Sequence, residues 1–247
     1  MREILYSRQA VRESLRARRR QFFKVWLLKG IEPSPLVDEI VTLAGTLKVP
    51  IGVLPRGDLD ALVDNPGHQG VALEASGYPY VRTEAMFDLT AERKEAPLFL
   101  LLDLIQDVRN LGTLMRTAEA VGVHGIILQE RRAAGITPAV ANTSAGAVEH
   151  LLVAQVANLS QAIEQLKAAD VWIAGLEYAS GAQLYTEVDL NGPLGVVVGS
   201  EGSGLRRLVR EHCDWLLMLP MHGVINSLNA SVAGSVVLYE VVRQRRR

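Results

Sequence analysis

From residue 98 onward, short apolar runs alternate with helix-period segments, and this alternation constrains the fold more than any other feature of the chain. The runs at 98–105, 125–128, 151–156, 171–176, 194–198 and 215–219 are rich in Leu, Ile and Val, and several lack a polar interruption, as strands buried on both faces do. Between them, 111–121, an Ala-rich stretch before His150, 159–169, 205–212 and 228–243 read as helices. Such alternation predicts a parallel sheet with helices on both faces. The earlier residues alternate over shorter spans: helix 9–19, strand 22–28, helix 36–47, strand 50–54, a short helix 59–63 and strand 70–74. Gly30, Pro33, Pro35, Gly57, Asn65, Pro66 and Gly67 punctuate them. The expected organisation is a small α/β domain over 1–76, a linker over 77–96 ending in the charged run 92–95, and a larger α/β domain over 97–247.

With 49% hydrophobic residues the chain is globular. No stretch reaches the roughly 18 apolar residues of a membrane span. The first ten residues carry Arg2, Glu3 and Arg8 and no apolar signal core, so a soluble cytoplasmic protein is expected. One cysteine, Cys213, excludes an intrachain disulfide and a cysteine metal site, and reads as a buried, inert thiol. The net charge of −1 argues against a general nucleic-acid coat. Residues 1–32, however, hold nine Lys or Arg against three acids. Arg16, Arg18, Arg19 and Arg20 are the densest part and the candidate contacts to phosphate; the plain alternative is a solvated helix face.

Three clusters fall beyond the carboxyl ends of the expected strands, where open parallel sheets bind ligands. The first runs from Asp107 through Asn110 and Gly112 to Arg116, with Asn110 able to cap the helix. The second, Gly199-Ser200-Glu201-Gly202-Ser203-Gly204, has glycines that admit a ligand close to the backbone. It lacks the Gly-Lys-Ser/Thr of a P-loop and the spacing of a dinucleotide fingerprint. The third is Leu219-Pro220-Met221-His222-Gly223 followed by 226–231, where Ser227 or Asn226 could cap the last helix. Small residues at Ala230, Ser231, Ala233, Gly234 and Ser235 suggest close packing.

In this order and spacing the clusters resemble the three signature motifs of the SpoU (TrmH-like) family of RNA ribose 2′-O-methyltransferases. The matching stretches are Asn110-Leu111-Gly112 with Arg116-Thr117-Ala118, Val198-Gly199-Ser200-Glu201-Gly202, and Leu219-Pro220-Met221 with Ser227-Leu228-Asn229-Ala230-Ser231-Val232-Ala233. Residues 144–150 and Asn191-Gly192-Pro193 fit the same pattern, and the resemblance extends over about 98–243. Residues 5–15 and His68-Gln69-Gly70-Val71-Ala72 look like the N-terminal domain of the branch that methylates a guanosine of large-subunit ribosomal RNA. Ala230 stands where valine is commoner, and His222 occupies a variable position.

The resemblance implies a SPOUT-type fold: an N-terminal RNA-binding α/β domain and a C-terminal parallel-sheet domain with a trefoil knot. It further implies S-adenosylmethionine as cofactor, a homodimer built through the knot region, structured RNA as substrate and no metal. By motif matching, Gly199, Leu219 and Leu228 contact the cofactor. Arg116 is the catalytic cation, with Asn110, Glu201, Ser227 and Asn229 positioning it and the ribose. A guanidinium is too weak an acid for an easy role as base, so stabilising developing oxyanion charge suits Arg116 better. Transfer RNA is the second candidate substrate. A catalytically inactive RNA-binding paralogue is a further alternative, opposed by the joint presence of the five motif residues.

Overall fold

The computed structural model describes residues 2–200, 202, 204–224 and 227–246. It divides into two compact units, Met1–Pro79 with Ile136–His150, and Tyr80–Gly135 with Leu151–Arg247.

The first unit begins with β1 (Arg2–Tyr6), α1 (Arg8–Ala17), β2 (Phe22–Leu28), α2 (Pro35–Thr46), β3 (Ile51–Leu54), α3 (Arg56–Val63) and β4 (Val71–Ser76). Its sheet has the order β1-β4-β2-β3; β4 runs antiparallel to both neighbours and β2 parallel to β3. Helix α1 forms because Ala10, Val11, Ser14 and Leu15 recur on one side and bury it. Helix α2 starts where Ser34 accepts a hydrogen bond from the Val37 amide and Pro35 supplies a preset φ. Strand β1 was not expected from the sequence, because Arg2 and Glu3 hide its short apolar half, Ile4 to Tyr6, which pairs with β4.

The second unit opens with α4 (Thr83–Arg93), β5 (Leu98–Asp103), α5 (Val108–Ala120) and β6 (Gly125–Gln129). The linker expected at 77–96 is therefore largely a helix. Met86 is buried among Phe99, Leu101 and Ile127, Phe87 packs edge-on to Phe99, and the charges at 92–95 lie at the exposed end. Next come α6 (Pro138–Thr143) and a 3-10 turn, Ala147–His150. Both belong to the first unit, packing on β1 and α1, so the expected domain 97–247 is interrupted. The rest is β7 (Val153–Val156), α7 (Leu159–Ala168), β8 (Trp172–Leu176), β9 (Gln183–Leu184), β10 (Leu194–Gly199), α8 (Arg207–His212), β11 (Trp215–Met218) and α9 (Ala230–Arg245).

The sheet of this unit has the order β7-β6-β5-β10-β8-β11-β9, every pairing parallel, as the sequence pattern predicts. All six residues of β5 and of β10 are buried, which is why these central strands read as unbroken apolar runs. Helix α9 lies on α5 and β10. A Cβ on Gly234 would come within 2.7 Å of a Leu114 methyl and 3.0 Å of a Val198 methyl, so a larger residue there would push those side chains aside. Gly234, Val237 and Leu238 are buried within the chain; Val232 and Tyr239 are the exposed apolar residues of α9. Cys213 is partly buried, and desolvation pushes its thiol up to about 12, in keeping with an unreactive role.

Candidate active site

The carboxyl ends of β8, β10 and β11 and the start of α9 border an open cavity of about 670 Å³. Gly199, Ser200, Gly202 and Gly204 form one wall, Leu217, Met218, Leu219 and Met221 another, and Ser227, Leu228, Asn229, Ala230 and Ala233 a third. Glu177 and Tyr178, just past β8, complete it; sequence reasoning missed both, because no motif marks that turn. Gly199, Leu219 and Leu228 all line this cavity, together with Ser227 and Asn229.

The glycine loop has a steric cause. A Cβ on Gly199 would meet the carbonyl oxygen of Gly204 at 2.5 Å and the amide of Leu205 at 2.7 Å. Without one the loop folds back on itself, the Gly204 amide donating to the Ser200 carbonyl at 3.1 Å. Gly202 and Gly204 take positive φ. Glu201, the expected acid of this loop, lies outside the described residues, as does Asn226.

The starts of α5 and α9 are joined by side chains. Asn110 is not the helix cap; Asp107 is, accepting from the amides of Arg109 and Asn110. These bonds and the Arg109 guanidinium hold the Asp107 carboxyl below its ordinary range, the Asn110 amide first. The Asn110 side chain turns inward, and its Oδ1 accepts from Asn229 Nδ2 at 2.9 Å and from the Ser231 hydroxyl at 3.2 Å. Asn229, rather than Ser227 or Asn226, caps α9 through the amides of Ser231 and Val232. Ser231 was not singled out as polar machinery by the sequence, although it is buried in this network. Further along the two helices, the Thr117 and Ser235 hydroxyls meet at 2.8 Å. Arg116 does not line the cavity; it is exposed on α5 with no ion pair among the described residues.

Of the arginines expected to contact RNA, Arg20 must be withdrawn. Its side chain is fully buried, paired with Glu149 through two 2.8 Å hydrogen bonds and with Glu3 at 2.7 Å. Burial works against its charge, but Glu149 and Glu3 more than offset this, and its pKa is raised. Arg16 is exposed but paired with Glu39 and Glu13. Arg19 donates to the Tyr78 hydroxyl at 3.1 Å and lies over that ring. Arg18 is exposed, in the left-handed conformation that ends α1.

A parallel sheet with a cavity beyond its strand ends defines an α/β protein of the ligand-binding type. The family model of the SpoU rRNA methylase family matches residues 97–239, and a model described as RNA 2′-O ribose methyltransferase substrate binding matches 4–81. A Bacillus subtilis relative, a putative TrmH family tRNA/rRNA methyltransferase YacO, is 40% identical over 98% of this chain and 96% of its own. The 23S rRNA (guanosine-2′-O-)-methyltransferase RlmB of Pseudomonas syringae pv. tomato is 40% identical over the same shares. The crystal structure of the SpoU methyltransferase AviRb from Streptomyces viridochromogenes, solved with AdoMet, superposes with a TM-score of 0.81 at 22% identity, covering 99% of this chain and 91% of that one. The chain belongs to the SpoU rRNA methylase family. It is an RNA ribose 2′-O-methyltransferase, and RNA is its partner.

Proposed function

We propose that the enzyme uses S-adenosylmethionine to methylate the ribose of a guanosine in large-subunit ribosomal RNA. The observation that carries this reading is the cavity, whose wall residues include all three of the motif-matched cofactor positions. Its volume suits a nucleoside-sized ligand. Leu219 and Leu228 offer apolar faces to a base, and the glycine loop leaves backbone groups open where side chains would fill the space. The cofactor supplies a methyl group already activated by its sulfonium. The protein's task is to align a weak nucleophile and stabilise its developing charge. Arg116 is the fixed cation for that charge and for the neighbouring phosphate. Asn110, Ser227 and Asn229, with Glu201, orient the ribose. Among the described residues no cluster offers three metal-ligating side chains, and no helix is long and apolar enough to cross a membrane.

The 40% identity to the Pseudomonas syringae enzyme supports the ribosomal guanosine. The name of the Bacillus subtilis relative keeps transfer RNA as the second reading. The trefoil knot belongs to the same proposal, supported by β10 lying between β5 and β8 and by α9 turning back onto α5. So do a cytoplasmic location and a homodimer, for which the exposed Leu228, Val232 and Tyr239 supply an apolar stripe. Arg18 and Arg19 remain the candidate RNA contacts of the 1–32 cluster. Methyl transfer to purified ribosomal and transfer RNA, followed by mapping of the modified ribose, tests the substrate. In the same assay Arg116→Ala should lower kcat about 10²–10³-fold while cofactor affinity stays within a few-fold. Near-normal turnover of that variant, or exclusive labelling of transfer RNA, refutes the corresponding part.

A further inference from the structure

Asp103 ends β5 as a fully buried carboxylate that touches neither the cavity nor the Asn110–Asn229 network. In the sheet it sits directly beside Gly199, the first residue of the glycine loop. Its Oδ2 accepts the backbone amide of Arg206 at 2.9 Å, and its Oδ1 accepts Nε and faces Nη2 of the same arginine, each at 2.7 Å. Arg206 is where the loop leaves for α8. Both ends of the loop are therefore tied to the end of β5, the first by the sheet and the second by three contacts to one carboxylate. Between those ends, Gly199, Ser200, Gly202 and Gly204 form the cavity wall.

We propose that Asp103 is a positioning residue for cofactor binding, which holds the glycine loop in its binding conformation through Arg206. This rests on the reading of the cavity as the S-adenosylmethionine site. A short loop that presents backbone groups to a ligand binds tightly only if its conformation is fixed in advance; otherwise binding must order it. The alternative is that Asp103 merely fills a buried position. A buried carboxylate with a backbone amide and a guanidinium on one residue is a costly way to fill space. Asp103→Asn keeps the size and one acceptor oxygen. Whichever way that amide turns, its NH2 faces either the Arg206 backbone amide or the guanidinium, so the clasp opens while the strand stays intact.

The matched control is Asp214, just before β11 at the opposite end of the sheet. It likewise accepts one backbone amide, that of Ile173 at 2.8 Å, and pairs with one cation, Lys167 at 2.7 Å. The test is calorimetric binding of S-adenosylmethionine to the full chain, with thermal unfolding and steady-state kinetics alongside. Asp103→Asn is expected to weaken cofactor binding on the order of tenfold and to raise KM for the cofactor but not for RNA. Asp214→Asn should lower Tm and leave cofactor affinity unchanged. A lowered Tm with unchanged cofactor affinity in Asp103→Asn overturns the proposal. Should that variant not fold, Arg206→Ala decides, since it removes the guanidinium arms but keeps the backbone bond: weaker cofactor binding supports the clasp, and unchanged binding overturns it. Failure of the unmodified protein to bind S-adenosylmethionine would overturn the cavity reading itself, and the clasp with it.

Discussion

Replacing Glu149 by Gln should destabilise the protein far more than an ordinary surface change, because Glu149 is 1% exposed and its partner Arg20 is fully buried. The two side chains meet through a pair of 2.8 Å hydrogen bonds, 129 residues apart in sequence. Two opposite charges about 4 Å apart attract by about 4 kcal/mol at the effective dielectric suited to partly buried pairs. Removing one partner of such a pair typically costs about 3–5 kcal/mol, because the other charge stays buried without it. Glu3 at 2.7 Å and the Ser76 carbonyl at 2.9 Å still hold Arg20, so the lower end, about 3 kcal/mol, is expected. At about 2–4 °C per kcal/mol for a chain of this length, Tm should fall roughly 6–12 °C. Differential scanning calorimetry reads this directly, and Arg18→Gln, at an exposed position, is the control that should move little. The double variant Arg20→Met with Glu149→Leu should lose clearly less than the two single losses added, since neither charge is then stranded. A fall of under about 2 °C for Glu149→Gln would refute the reasoning, and with it the placement of Ile136–His150 among the elements of the first unit.

Acid should weaken the second unit through His124. Its Nδ1 accepts the Leu98 amide at 3.1 Å and its Nε2 lies 3.0 Å from Glu95, so the neutral ring is the one that fits. Burial pushes its pKa below the ordinary 6.5, against the pull of Glu95. A histidine kept neutral by folding contributes stability above its unfolded pKa, and that stability is lost as pH falls through the folded value. Denaturant midpoints should therefore decline from about pH 7.5 to pH 5, and His124→Gln should flatten that decline; an unchanged slope rules His124 out as its source. Sedimentation should give twice the chain mass for the unmodified protein and a monomer for Val232→Glu with Tyr239→Glu. A dimer that survives those changes assigns the interface elsewhere.

Periodicity determined much of this molecule. An apolar run buried on both faces needs no partner-specific information, so β5, β10 and the parallel sheet around them could be read from one-dimensional pattern. The glycine loop was legible for a related reason: backbone that must pass within contact distance of itself leaves room for nothing larger. Where charge masks a short apolar face the pattern fails, and so β1 and α4 were missed although Leu5, Tyr6 and Met86 are buried in them. The roles of individual polar residues depended on tertiary structure almost entirely. Arg18, Arg19 and Arg20 are alike in sequence, yet one is exposed, one lies against Tyr78 and one is sealed between two carboxylates. The sequence offered Asn110 as the cap of α5, but Asp107 caps it and the Asn110 side chain reaches Asn229, 119 residues away. Sequence records which groups can ionise or donate. Which of them remain available for a ligand is decided only when folding brings distant partners together and removes water from between them.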